Sequence, residues 1–234
     1  MESQEKKSRL CDTDLALAAT LPASERGKLL RRVTKGRGYP FYRSAKGLYP
    51  SILSIASLVL MPNATTLKKA VARKCPKGRK GEIPGNQKII EALREYAVAH
   101  KIVGAKFEHD GIPLGRSGKR KFWEPFIIEI DGHRFIPYFD PREKDALTAD
   151  ARRFIFSANH TYVRLQDPAQ YRAIGFVIFQ FVTQKDGTRK VFAHFDDGIA
   201  FWNDKEIGDM VDAVYRTMDE IEAERAAEAE RKAG

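Results

Sequence analysis

One apolar run constrains the fold of this chain more than any other part of its sequence. Residues 174–182 read Ile-Gly-Phe-Val-Ile-Phe-Gln-Phe-Val, with a single polar side chain among them. A strand buried on both faces has a nearly continuous apolar sequence, whereas a half-buried strand alternates between apolar and polar residues. The run therefore predicts the central strand of a sheet.

Alternating segments on both sides of this run predict further strands. An Asp131-Gly132 turn separates residues 126–130 from 133–139, and Asp-Gly between alternating strands is a strong signal for a type I′ hairpin. Similar Asp-Gly pairs follow the central run. Further strands are predicted at 105–109, 190–195 and 199–202.

Helical periodicity appears between and around the strands. Amphipathic helices are predicted at 85–102, at 145–163 and from Asp204 through Glu222, the last with a continuous apolar stripe. The sequence therefore predicts an α+β fold. A basic, mainly helical part over residues 1–103 would precede a part over 104–234 with a mixed or antiparallel β-sheet flanked by helices.

The charge of the chain is divided unevenly along its length. Residues 1–123 carry a formal net charge of +16 and residues 124–234 carry −6, within a total of +10. A basic region of this size attracts polyanions and accelerates their encounter. We therefore predict that the first half binds nucleic acid, DNA before RNA; the alternative is a basic surface that serves solubility or a protein partner.

Three cationic clusters carry this prediction. Their side chains would bind phosphates and would give little base specificity. The first cluster is interleaved with aromatic residues, which could stack on bases or cover the core. The predicted contacts are Arg31, Arg32, Lys35, Arg37, Arg43 and Lys46; Lys68, Lys69, Arg73, Lys74, Lys77, Arg79 and Lys80; and Arg116, Lys119, Arg120 and Lys121.

Other features exclude several classes of protein. The longest apolar run, 52–61, is only about half of a membrane span, and the N-terminus lacks the apolar segment of a signal peptide. Two cysteines, Cys11 and Cys75, form neither a disulfide framework nor a zinc motif. We expect a cytoplasmic protein without a membrane partner.

Two acidic positions suggest a possible chemistry. Glu129 lies on the second predicted strand, and the third ends in Asp140-Pro141-Arg142. With a helix before and a helix and strand after, residues 86–182 resemble the PD-(D/E)xK, or restriction-endonuclease-like, superfamily. In that family an acid and an acid-x-Lys triplet on these two strands bind a divalent metal. The resemblance implies Glu129, Asp140 and Arg142 as catalytic residues and Glu129 and Asp140 as ligands of Mg²⁺.

The sequence departs from that pattern, which favours an inactive core. Arg142 replaces the lysine, and a guanidinium does not give up its proton at working pH. Each acid also has a structural interpretation. Glu129 alternates with isoleucines and would lie on an exposed face, and Asp140 would cap the helix that follows.

Our first hypothesis is a DNA-binding protein of bacterial or mobile-element type with an inactive nuclease-like core and no certain cofactor. The second is an active Mg²⁺-dependent nuclease. The third is an adaptor or assembly subunit of a nucleoprotein complex, with a protein partner or self-association through the C-terminal helix.

Overall fold

The computed structural model describes residues 10–34, 42–54, 61–116 and 119–233. Five strands form the main sheet in the order β1-β4-β5-β6-β7, and β2 and β3 form a small second sheet. Strands β5 and β6 are parallel and the other neighbours in the main sheet are antiparallel. The strands are β1 (Val103–Lys106), β2 (Ile112–Pro113), β3 (Lys119–Arg120), β4 (Phe126–Ile130), β5 (His133–Asp140), β6 (Gly175–Thr183) and β7 (Arg189–Phe195).

Helices account for most of the remaining described residues. They are α1 (Asp12–Thr20), α2 (Ala23–Val33), α3 (Arg43–Lys46), α4 (Tyr49–Leu53), α5 (Ala64–Lys74), α6 (Ile83–Ala99), α7 (Ala149–Asn159), α8 (Pro168–Tyr171) and α9 (Asp204–Ala233). A short 3₁₀ turn precedes α6, and a π-helical turn extends α7. The predicted α+β class, with a mixed sheet and flanking helices, is confirmed.

The central strand β6 is buried on both faces, as its sequence predicts. Phe176 and Ile178 point into one apolar cluster, which also contains side chains of α1, α2, α7 and α9. Val177, Phe179 and Phe181 point into a second cluster with side chains of α3, α4, α5 and α6. Because successive side chains of a strand point to opposite faces, one apolar run supplies both cores.

Both apolar clusters contain residues from before and after position 103. In the first, α1 and α2 join side chains of the sheet and of α9, whose stripe of Ile207, Val211, Val214 and Ile221 is buried. The stripe is thus part of this chain's own core, and association through the C-terminal helix stays a prediction. The division at residues 103 and 104 stays a prediction.

Local geometry confirms the first hairpin and corrects other boundaries. Asp131 and Gly132 have φ values of 50° and 80°, as a type I′ turn requires. The helix predicted from 145 begins at Ala149, because the Thr148 hydroxyl accepts a hydrogen bond from the N–H of Ala151 and caps it. The cap is therefore Thr148 and not Asp140.

The segment before α9 corrects another prediction. Residues 199–202, predicted as a strand, form a loop held by hydrogen bonds from Trp202 N–H to the Ser157 hydroxyl and from Arg153 to the carbonyl of Ala200. Helix α9 is capped by Asn203, which exchanges hydrogen bonds with Glu206 in a capping box. Within the described residues, none of the helices has the length and apolar content needed to cross a bilayer.

Glycine at position 104 lets α4 approach the edge of the sheet. A Cβ on Gly104 would lie 2.3 Å from the carbonyl oxygen of Leu53, whereas a Cβ on Gly208 in α9 would meet nothing within 4 Å. We expect Gly104→Ala to lower the free energy of unfolding by about 1–3 kcal/mol through this backbone clash. Urea denaturation measures it, and Gly208→Ala is the matched control.

The control should raise stability by about 0.5–1 kcal/mol, because alanine restricts the unfolded chain and suits a helix interior better than glycine. Equal effects of the two substitutions would contradict the close approach of Leu53 to Gly104.

Candidate functional site

The carboxylate of Asp140 is fully buried at the end of β5, where it accepts three hydrogen bonds. The N–H of Leu147 donates to Oδ2 at 2.6 Å, Gln180 of β6 donates to Oδ2 at 3.2 Å, and Arg142 Nε donates to Oδ1 at 3.1 Å. A buried charge is tolerated when it is paired and hydrogen-bonded, and Asp140 meets both conditions.

Arg142 extends this arrangement to the N-terminal helices. Its Nη1 lies 2.9 Å from Oδ1 of Asp14 on α1, so one guanidinium bridges two carboxylates. Desolvation lowers the pKa of Arg142, but Asp140 and Asp14 outweigh it and the net pKa is raised. This side chain therefore stays cationic and serves as an anchor between layers.

The pairing of β4 with β5 does not bring the two predicted metal ligands, Glu129 and Asp140, together. Glu129 is exposed on β4 and stands opposite Arg134, which is six residues from Asp140 along β5. Six residues of extended strand span roughly 20 Å, too far for two carboxylates to share one ion. In the described part of the chain, no group of three or more His, Cys, Asp or Glu residues is arranged to hold a metal. The structure brings Arg142, and not Glu129, to Asp140.

A second buried carboxylate, Glu124, was missed by the sequence patterns. Its side chain is 6% exposed, and Lys46 Nζ lies 2.6 Å from Oε1. Burial is the largest influence on its pKa and raises it above the ordinary value, while Lys46 opposes the shift. The signal available in the sequence was a glutamate between Trp123 and Pro125, inside an apolar stretch just before β4.

Glu124 lies in an open cleft of about 710 Å³, which we call the Glu124 cleft. Phe107, His109 and Trp123 contribute rings, with His109 and Trp123 in edge contact at 5.3 Å between centroids. Asp12 and Lys46 bring charge from the N-terminal part. The cleft thus combines aromatic rings with charged groups, as ligand and protein contacts often do.

Most of the predicted nucleic-acid contacts that the structure describes bind groups of this chain instead. Arg31, Arg32 and Arg116 form ion pairs with Glu224, Asp145 and Asp219, all in the acidic half. Lys46, Lys68, Arg79 and Lys119 pair with Glu124, Glu91, Glu82 and Asp110. Lys74 donates to the carbonyl of Gly47.

The remaining predicted contacts differ in their exposure. Arg120 is buried and donates to the carbonyl of Leu10 and to the hydroxyl of Tyr215. The exposed members are Arg43, Lys69, Arg73, Lys77, Lys80 and Lys121, of which Arg43 also interacts within the chain. Lys35 and Arg37 lie outside the described residues.

Comparison with known proteins gives a match over nearly the whole chain. A family model described as "Sliding clamp-binding bacterial toxin SocB" matches residues 13–228. The "DNA replication inhibitor toxin SocB" of Caulobacter vibrioides (strain NA1000 / CB15N) is 28% identical over 229 residues, which cover 98% of this chain and 96% of the relative. No solved structure matches.

These matches correct the functional interpretation of the sequence. The PD-(D/E)xK assignment is wrong, because the matching toxin family includes all of residues 86–182. The DNA-binding, nuclease-like and nucleoprotein-adaptor hypotheses are wrong with it, whereas the predicted protein partner agrees with the clamp-binding description of the family. The predicted order of helices and strands does occur, but a shared order of elements does not identify a family or its chemistry.

The bridge through Arg142 makes a prediction about stability. Arg142→Ala leaves the buried Asp140 carboxylate without its ionic partner, and we expect a loss of about 3–5 kcal/mol in the free energy of unfolding. Urea denaturation with far-ultraviolet circular dichroism measures it. Arg31→Ala is the control, since its pair with Glu224 is exposed and its loss should cost less than about 1 kcal/mol. Equal losses would contradict the anchoring role.

The raised pKa of Glu124 makes a prediction about pH. A carboxyl whose pKa is higher in the folded than in the unfolded state stabilises the fold at low pH, and this contribution is lost as the pH rises through the folded-state pKa. The stability of Glu124→Gln relative to the unmodified chain should therefore increase as the pH rises above the ordinary glutamate pKa of about 4. Urea titrations at several pH values test this, and a constant or falling difference would contradict it.

Proposed function

Because the chain belongs to the SocB family of sliding clamp-binding bacterial toxins, we propose that it binds the sliding clamp of a bacterial replication machinery and thereby inhibits DNA replication. One observation carries this proposal: the match extends over residues 13–228, and the curated relative is covered almost completely. The partner would be a protein, and the site of action would be the cytoplasm, where bacterial DNA is replicated.

The distribution of charge supports a protein partner. Arg31, Arg32 and Arg116 each lie within 2.7 Å of a carboxylate oxygen of the same chain. Binding phosphates with these groups would require breaking those pairs, so the electrostatic attraction that dominates DNA affinity is reduced. A partner recognised through shape and apolar contact does not need these cations.

The proposed inhibition has a simple physical basis. A protein bound to the clamp occupies surface that replication proteins also need, and two proteins cannot use the same surface at once. The extent of inhibition should then follow the occupied fraction of clamp, and additional clamp should relieve it.

Purified chain and clamp test the proposal directly. We expect a complex in surface plasmon resonance, and inhibition of primer extension only when synthesis depends on the clamp. The matched control replaces three exposed lysines of the second cationic cluster, Lys69, Lys77 and Lys80, with alanine. It should keep both clamp binding and inhibition, since these side chains serve neither in this proposal.

Two results would contradict clamp-directed inhibition. One is the absence of a complex with the clamp. The other is equal inhibition of extension with and without the clamp, combined with loss of inhibition in the three-lysine variant, which would place the effect on the DNA template.

A further inference from the structure

The edge strand β7 presents unpaired backbone groups. Its ladder with β6 is bracketed by hydrogen bonds from Gln184 N–H to Thr188 C=O and from Asp196 N–H to Phe176 C=O. Inward and outward hydrogen bonding alternate along an antiparallel strand. Residue 192, opposite Gln180, therefore bonds towards β6, and Val191 and Ala193 direct their N–H and C=O groups away from the sheet.

These outward groups have no backbone partner among the described residues. No hydrogen bond joins the N–H or C=O of Val191 or Ala193 to any other described segment. An open edge of this kind is a template for pairing with another strand. The strand runs for seven residues, Arg189–Phe195, which is long enough for several ladder bonds.

Exposed apolar side chains concentrate at the same edge. Of the five large hydrophobic side chains that are exposed in the described chain, three lie on β6 and β7: Val182 at 44%, Phe192 at 49% and Phe195 at 36%. Val182 pairs with Lys190, so it is the diagonal neighbour of Phe192 on one face of the sheet. Backbone hydrogen bonding and apolar surface thus point to the same docking edge.

We propose that β7 pairs antiparallel with β7 of a second copy of this chain, joining the two five-stranded sheets into one. Phe192 is the midpoint of the strand. A two-fold axis through it sets Val191 of each copy opposite Ala193 of the other, so that their outward groups exchange hydrogen bonds. The Phe192 rings then meet across the axis as a close cross-strand pair.

The charges along β7 are compatible with this two-fold pairing. The register places Lys190 opposite His194 of the second copy, and burial, reinforced by Arg152, lowers the pKa of His194, which disfavours a positive charge on its ring. Arg189 is buried and paired with Glu143 of its own chain. Like charges are therefore not set directly opposite each other, which is the condition a two-fold interface must meet.

Substitutions at two positions of β7 separate edge pairing from other modes of association. Val191→Pro removes an outward N–H and none of the hydrogen bonds to β6, so pairing with a second copy is blocked, although the packing of the Val191 side chain against the second apolar cluster is also reduced. Phe192→Lys and Phe192→Glu leave the backbone unchanged and place like charges across the axis. Val98→Lys is the control, because Val98 is an exposed apolar side chain on α6, 51% accessible.

Sedimentation velocity at high micromolar concentration is the measurement. We expect the unmodified chain and Val98→Lys to sediment as dimers, and the three edge variants to sediment as monomers. An equimolar mixture of Phe192→Lys and Phe192→Glu should restore the dimer, since opposite charges then face each other. Circular dichroism confirms that each variant is folded.

A monomeric unmodified chain overturns the proposal, as does a dimer that persists in Val191→Pro and Phe192→Lys. If the unmodified chain is monomeric but Phe192→Lys loses clamp binding, the edge belongs to the clamp and not to a second copy. The dimer does not depend on clamp binding, so failure of either proposal leaves the other standing.

Discussion

The ionic and hydrogen-bonding contacts of the buried Asp140 carboxylate connect the sheet to the helices on one of its faces. Asp140 is the last residue of β5. Its carboxylate accepts hydrogen bonds from the N–H of Leu147, shortly before α7, and from Gln180 of β6, and it pairs with Arg142. Arg142 in turn reaches Asp14 of α1. An ionised carboxylate without such partners would be strongly unfavourable in this position. Helix α1 is therefore joined to the end of β5 through Arg142 as well as by apolar packing.

The elements that sequence reasoning predicted correctly are those specified by neighbouring residues. The apolar run of β6, the Asp131-Gly132 hairpin and the stripe of α9 each express a periodicity that local composition reveals. The structural roles of Asp140 and Glu124 were not accessible in that way, because each carboxylate also has a partner that is distant in sequence. Gln180 is 40 residues from Asp140, and Lys46 pairs with Glu124 from the first half of the chain. A pattern of residue types places an acid on a strand, but only the register and the packed layers show which cation it meets.

The uneven charge of the chain acquires a different meaning in three dimensions. The sequence presents a basic first half and an acidic second half, and we read the excess as a surface for polyanions. In the structure Arg31 and Glu224 are 193 positions apart and lie 2.6 Å from each other. Such ion pairs between the two halves partly neutralise the positive electrostatic potential near the paired arginines. Exposed pairs contribute little stability individually, so their consequence lies in the field that the surface retains and not in the energy of the fold.

Polar and apolar groups that remain without a partner on the described surface indicate where another molecule can bind. The carboxylate that resembled a nuclease ligand is enclosed by donors of its own chain, and most cations that resembled phosphate contacts are paired. By contrast, Val191 and Ala193 carry backbone groups that no described residue satisfies, next to exposed phenylalanines. Unsatisfied backbone and exposed apolar surface are complementary to another polypeptide far better than to a phosphate backbone. The family is described as binding a protein, the sliding clamp, and the unpaired edge of β7 is also suited to a protein. Both observations therefore indicate the same class of partner, although they concern different contacts.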